Sequence, residues 1–175
     1  MPGVTQKRIG HMWRRFIPLA VGAALLGVGK IAFSGHLLIN FTPSIPRGLY
    51  WISHEVRPVR GDLVVFPIPD SVRDLLYERQ YVPRTIRLLA KPVSAIGGDH
   101  VCVRDHQVVV NGHVAGNVLA VDRDGKPMPQ YSGCGVLPPG ELFVSTEHAN
   151  SFDSRYFGPL DLRVVRGTLS ALLTF

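Results

Sequence analysis

Ser44 lies between two prolines in the stretch FTPSIPRGLYWI, residues 41–52, and Lys91 lies in RLLAKPVSAIGG, among leucine, alanine, valine and isoleucine. A serine hydroxyl attacks an amide carbon when a neighbouring group takes its proton. Lysine can take it near neutral pH only if burial away from counter-charges lowers its ordinary value of about 10.4. After residue 35 the chain offers two lysines, and Lys126 sits in DRDGKP, an exposed turn. Pro43 fixes its own φ and Pro46 biases Ile45 toward extended backbone, so Ser44 sits in a stiff segment. Its own N–H, together with the Thr42 hydroxyl two residues earlier, could donate to an oxyanion. Each residue also has an ordinary reading. Ser44 could belong to a Pro-rich connector, and Lys91 could be a strand lysine whose stem lies on apolar surface while its head reaches water.

Other chemistries fit less well. No G-x-S-x-G elbow is present, so a serine on a strand-to-helix turn is unsupported. A Ser/His/Asp triad through His148 and Asp153 is compatible with the spacing. His100, His106 and His113 match no metal-ligand spacing, and neither a metal nor a cofactor is expected.

The elements that must hold these residues are short. The 18 glycines and 14 prolines suit strands and turns better than a helical bundle. GLYWISHEV and GDLVVFPI read as strands, and TIRLLAKPVSAIGGD as a largely buried one. PDSVRDLLYERQYVP reads as the one helix, with Ser71 and Asp74 as a capping box, an apolar face of Val72, Leu75 and Leu76, and Pro83 as its stop. Asn111-Gly112 between alternating apolar residues marks a hairpin. DRDGKPMPQYSG reads as an exposed excursion, with GELFVS and VVRGTLSALLTF as closing strands. Asp62 and Asp99, each after a glycine, read as turn residues. The expected fold is mainly β, an antiparallel domain with one short helix, preceded by an N-terminal transmembrane helix.

Charge separates the leader from the rest. Residues 1–30 hold five basic and no acidic residues, leaving 14 of the 19 basic residues against all 13 acidic ones. A nucleic-acid-binding domain concentrates positive charge on a folded face, so no nucleic acid partner is expected. The chain divides into a basic cytoplasmic segment (1–15), an apolar anchor (16–35) and an exported domain (36–175). The alternative is a cleavable leader, with Ala32-Phe33-Ser34 as a small-x-small site. In an exported domain Cys102 and Cys134 are a disulfide candidate, with two separate thiols as the alternative.

In order along the chain, NFTPSIPRGLYW, RGDLVVF, RLLAKPVSAIGGD and NSFDSRYFGPL resemble the Ser/Lys signal peptidases, and within them the conjugative-transfer signal peptidases of the TraF type. The resemblance implies Ser44 as nucleophile, Lys91 as general base, and Thr42 with the Ser44 N–H as the oxyanion hole. It implies that Ser151 orients the lysine and that Asp153 and Arg155 brace the site. It further implies a retained anchor in the bacterial cytoplasmic membrane, with the lipid bilayer and a pilin precursor as partners and the catalytic domain on the periplasmic face. Some members of that family join the new carbonyl end to the pilin's own amine. Departures are visible: Ile45 and Pro46 follow the serine where general signal peptidases have Met and Pro, Pro92 follows the lysine where they have Arg, and STEHANS replaces their GDN lead-in. These weaken the alternative of general preprotein cleavage. A non-enzymatic scaffold of a transfer apparatus is the other alternative.

Overall fold

The computed structural model describes residues 35–175. The basic segment 1–15 and, apart from Gly35, the anchor 16–35 lie outside the described residues. The order is β1 (Leu37–Asn40), β2 (Gly48–Ser53), β3 (Leu63–Pro67), α1 (Asp70–Glu78), β4 (Leu88–Ile96), β5 (His100–Arg104), β6 (Gln107–Val110), β7 (His113–Asn117), β8 (Cys134–Val136), β9 (Glu141–Val144), α2 (Ser154–Phe157), β10 (Leu160–Asp161), a 3-10 turn (Leu162–Val164) and β11 (Gly167–Thr174). The domain is mainly β with one helix of nine residues, as its alternation and turn chemistry suggest. The four-residue α2 is a second helical turn that the sequence reading did not anticipate.

Two antiparallel sheets result. The larger runs β1-β2-β11-β3-β4-β9-β10, and the smaller runs β7-β6-β5-β8. The last strand inserts between β2 and β3, so the end of the chain closes the sheet that carries β4. Ala95 and Phe143 of the large sheet, Val101, Val108 and Val110 of the small one, and Val72 and Leu76 of α1 share one apolar cluster. In β4 the buried positions are Lys91, Val93 and Ala95, an inward period of two. Lys91 therefore occupies a place in the strand where an apolar residue would ordinarily pack.

Local chemistry sets the turns. Asn111 and Gly112 have φ of 49° and 84°, the two positive values that a two-residue hairpin turn requires. Asp105 and His106, at 48° and 58°, make a second such turn between β5 and β6 without any glycine to mark it. The capping-box expectation is corrected. Pro69 caps α1 with no side-chain hydrogen bond, and Ser71 lies inside the first turn. Nor does Pro83 end α1. The helix stops at Glu78, and the left-handed Gln80 (φ 55°) turns the chain away.

The excursion at 122–133 is largely exposed, at 123–127, Gln130 and Ser132, and half-buried at Asp122, Met128, Pro129, Tyr131 and Gly133. Asp122 accepts from the Tyr81 hydroxyl and from Arg79 Nη1 at 3.2 Å, and Arg79 Nη1 also donates to Pro127 O at 2.9 Å. Tyr131 packs on Phe143 with ring centroids 6.0 Å apart. A carboxylate that can bind its own backbone at Asp124 and Lys126 makes a compact turn, and Arg79 and Tyr81, just beyond the end of α1, then clamp it. Cys102 and Cys134 pair across β5 and β8 and are joined by a disulfide with an S–S distance of 2.11 Å. Their separation of 32 residues closes a loop whose chain entropy in the unfolded state is worth about 3–4 kcal/mol. Replacing both cysteines by alanine should lower the unfolding free energy in urea titrations by about that amount; a change below about 1 kcal/mol would show that the loop is held by its strands alone.

Candidate active site

Lys91 is 5% exposed, and its Nζ donates to Ser151 Oγ at 2.8 Å. Burial moves its pKa from the ordinary 10.5 down to about 8; Asp153 pulls upward against that burial and Arg155 adds to the lowering. A neutral amine has a lone pair to accept a proton while one of its own N–H groups still donates to Ser151.

Ser151 is fixed from behind. Its N–H donates to His148 O at 3.0 Å, and its carbonyl accepts from Arg155 Nη2 at 3.0 Å. Arg155 is 1% exposed and Asp153 0%. The guanidinium grips both carboxylate oxygens, Nε to Oδ1 at 2.7 Å and Nη2 to Oδ2 at 2.8 Å. It also donates to His148 O and, through Nη1 at 2.8 Å, to Asn117 O on β7 of the small sheet. Asp153 caps α2 and further accepts from the Arg155 and Thr146 N–H groups. This pair thus ties the Ser151 turn to β7 of the small sheet and to Thr146, two residues beyond β9 of the large one.

The triad alternative finds no support in this arrangement. Both Asp153 oxygens are held by Arg155, and His148 Nδ1 is buried with no hydrogen-bond partner. An Asp–His pair that would orient the imidazole is not formed among the described residues. Among the described residues no group of three or more His, Cys, Asp or Glu side chains could hold a metal ion.

Ser44 is half-buried on the loop between β1 and β2. Ile45 anchors that loop in a cluster with Tyr50, Ile52, Val65 and Leu169, against which Ala90 also packs. Ser44 and Lys91 are therefore chain neighbours of two residues that share one cluster. The Tyr50 hydroxyl adds a bond to Pro46 O at 2.6 Å. Lys91 Nζ is bonded to Ser151, and among the described residues no hydrogen bond joins it to Ser44. Ser44 Oγ instead lies 3.3 Å from Thr42 Oγ1.

One residue here escaped the sequence reading. Asn40, 8% exposed at the end of β1, donates from Nδ2 to the carbonyls of Thr42, Ile45 and Pro46 at 2.8, 3.0 and 3.1 Å. Its Oδ1 accepts from Thr42 N at 3.1 Å and Thr42 Oγ1 at 2.7 Å. The signal was an asparagine two residues before a threonine at the mouth of a Pro-rich loop, the setting of an Asx turn.

The buried lysine makes stability depend on pH with a known sign. Below pH 8 Lys91 is charged in folded and unfolded chains alike, and the burial penalty is fully present. Between about 8 and 10.5 the unfolded chain binds more protons, so stability rises with pH and the penalty, about 3 kcal/mol, disappears. Lys91→Met should therefore be more stable than the parent in urea denaturation at pH 7, with a gain that shrinks toward pH 10.5. A gain independent of pH would mean that the lysine is not charged and buried at neutral pH.

Comparison with known proteins identifies the family. The family described as "Signal peptidase, peptidase S26" matches residues 10–174. A conjugal transfer protein TraF from Agrobacterium fabrum is 36% identical over 170 residues, covering 92% of this chain and 95% of its own. A plasmid transfer protein TraF from Escherichia coli is 33% identical over 172 residues, covering 92% and 96%. A signal peptidase I structure from Enterococcus faecalis aligns with 65% of this chain and 97% of its own at 23% identity and a TM-score of 0.38. With its family match running from residue 10 to residue 174, the chain belongs to the S26 signal peptidases.

Proposed function

We propose that this protein is a membrane-anchored serine endopeptidase of conjugative transfer, with Ser44 as nucleophile and Lys91 as general base. The observation that carries the reading is the buried Lys91, its pKa lowered to about 8, hydrogen-bonded to a serine braced by a buried Asp–Arg pair. Burial that lowers a lysine toward working pH is how such a residue becomes a base. The TraF names of its relatives favour conjugative transfer over general preprotein cleavage.

In this reading neutral Lys91 takes the Ser44 proton as Oγ attacks the scissile carbonyl carbon. The Ser44 N–H donates to the oxyanion. Lys91, now an ammonium, returns the proton to the departing amine, leaving an acyl group on Ser44. Water then releases a carboxylate, or an amine of the substrate forms a new amide and a cyclic product. For this transfer Lys91 Nζ must bond to Ser44 while Ser151 keeps it oriented, a tightening that substrate binding commonly supplies. The substrate is a pilin precursor delivered at the outer face of the cytoplasmic membrane, where residues 16–35 anchor the enzyme. Its extended segment lies beside a strand and places a small residue at Ser44.

Mass spectrometry of a conjugative pilin precursor incubated with the detergent-purified full chain tests this. The parent should yield cleaved product, Ser44→Ala and Lys91→Ala none, and His148→Ala an undiminished amount. A product one water lighter than the linear fragment would identify cyclisation. Loss of processing in His148→Ala alone would replace the dyad by a histidine mechanism.

A further inference from the structure

The carbonyl of Arg155 is an acceptor that its own helix cannot serve. The residue four places on, whose N–H would fill it in a longer helix, is Pro159, which has none. The Gly158 N–H is already given to Ser154 O at 3.0 Å. The donor comes instead from the excursion: Tyr131 N bonds to Arg155 O at 3.0 Å. A helix of four residues does not hold itself, so α2 keeps its turn through such outside partners. The seat of Tyr131 is built from two glycines. A Cβ at Gly133 would fall inside the Tyr131 ring and hydroxyl, and one at Gly158, the cap of α2, would stand 3.1 Å from its Cδ2. Phe143 of β9 packs on the ring as well. The seat is itself anchored, because Gly133 O accepts from Val103 N at 2.9 Å and the next residue, Cys134, is bonded to Cys102.

We propose that Tyr131 is a positioning residue for the proposed base: seated between Gly133 and Gly158, it holds the Arg155 turn, and through Arg155 the serine that directs Lys91. The inference rests on Lys91 being the general base. Each link is a hydrogen bond of this structure: Tyr131 N to Arg155 O, Arg155 Nη2 to Ser151 O at 3.0 Å, and Lys91 Nζ to Ser151 Oγ at 2.8 Å. If the ring leaves its seat, α2 loses an outside partner and the guanidinium is free to draw away from Ser151. Lys91 then loses its single direction and gains access to water. Burial, the larger cause of its lowered pKa, weakens, and so does the smaller contribution of Arg155. Losing one orienting hydrogen bond at the base corresponds to about tenfold in rate.

The test compares the full-length parent with Tyr131→Ala, Tyr131→Phe, Gly133→Ala and the Tyr131→Ala/Gly133→Ala double variant. Two readouts are taken: steady-state cleavage of a conjugative pilin precursor, and titration of the Lys91 Nζ resonance in protein carrying 15N-labelled lysine. Tyr131→Ala removes the ring, whereas Gly133→Ala expels it from its seat. Each should lower kcat about tenfold at unchanged KM. Each should also move the Lys91 midpoint upward from about 8 toward 10.5. The double variant should lose no more than the worse single one, because both act on the same ring. Tyr131→Phe keeps the ring and the N–H and should stay within about twofold of the parent. Variants that unfold at lower urea concentration but keep the parent's kcat and Lys91 midpoint would make Tyr131 a packing residue only and overturn the proposal. If Tyr131→Ala fails to fold, Gly133→Ala decides alone, since it retains every N–H and the ring itself. A parent without turnover would remove the peptidase reading, and the Lys91 midpoints would then judge the bracing by Tyr131 on their own.

Discussion

The site depends on one buried ion pair. Asp153 and Arg155 are almost wholly removed from water, and such a pair persists only because its geometry is two-pronged and its spare N–H groups find carbonyls. Removing either partner would strand a charge in the core, a loss of about 3–5 kcal/mol. In return the guanidinium reaches outward to Asn117 O, His148 O and Ser151 O. A two-residue spacing in the sequence thereby becomes the joint between a strand of the small sheet and the turn that touches Lys91. Burial draws the Arg155 guanidinium down while Asp153 more than offsets it, leaving it firmly charged.

Lys91 shows how an ordinary strand produces a lysine with an unusual pKa. The inward period of β4 would accept a valine at this position, as it does at Val93 two residues on. A lysine there is dehydrated by its place in the sheet, and Ser151 gives its ammonium or amine a single defined direction. The nearby Asp153 pulls against the shift, but its carboxylate is already held by Arg155, so burial dominates. Ser44, the proposed nucleophile, is placed by different means, through Ile45 in an apolar cluster and Asn40 on three carbonyls. The proposed base and nucleophile thus sit on separate, independently stiffened pieces of chain.

Much of this was legible in the sequence where the cause is local. Short apolar runs bounded by turn residues marked β2 and β4, and Asn111-Gly112 marked its hairpin because both residues tolerate positive φ. Asp105-His106 did not announce the same turn, since the register of β5 with β6 imposes it on residues that adopt positive φ less readily than glycine. The Asp153–Arg155 pairing was visible as a spacing, but its reach to Asn117 depends on how the small sheet packs. Asn40 was passed over because its partners are backbone carbonyls, which every sequence has and none displays. The clamp of Arg79 and Tyr81 on Asp122 escaped notice for a different reason, since 43 and 41 residues separate the groups.

The central claim is that Lys91 is largely a neutral amine at mildly alkaline pH because the fold removes it from water. Titration of the Nζ resonance in protein carrying 15N-labelled lysine measures this directly. Lys91→Met identifies the signal among the chain's four lysines. The account requires a midpoint near 8. A midpoint near 10.5, that of an ordinary solvated lysine, would contradict it and leave Ser44 without its base.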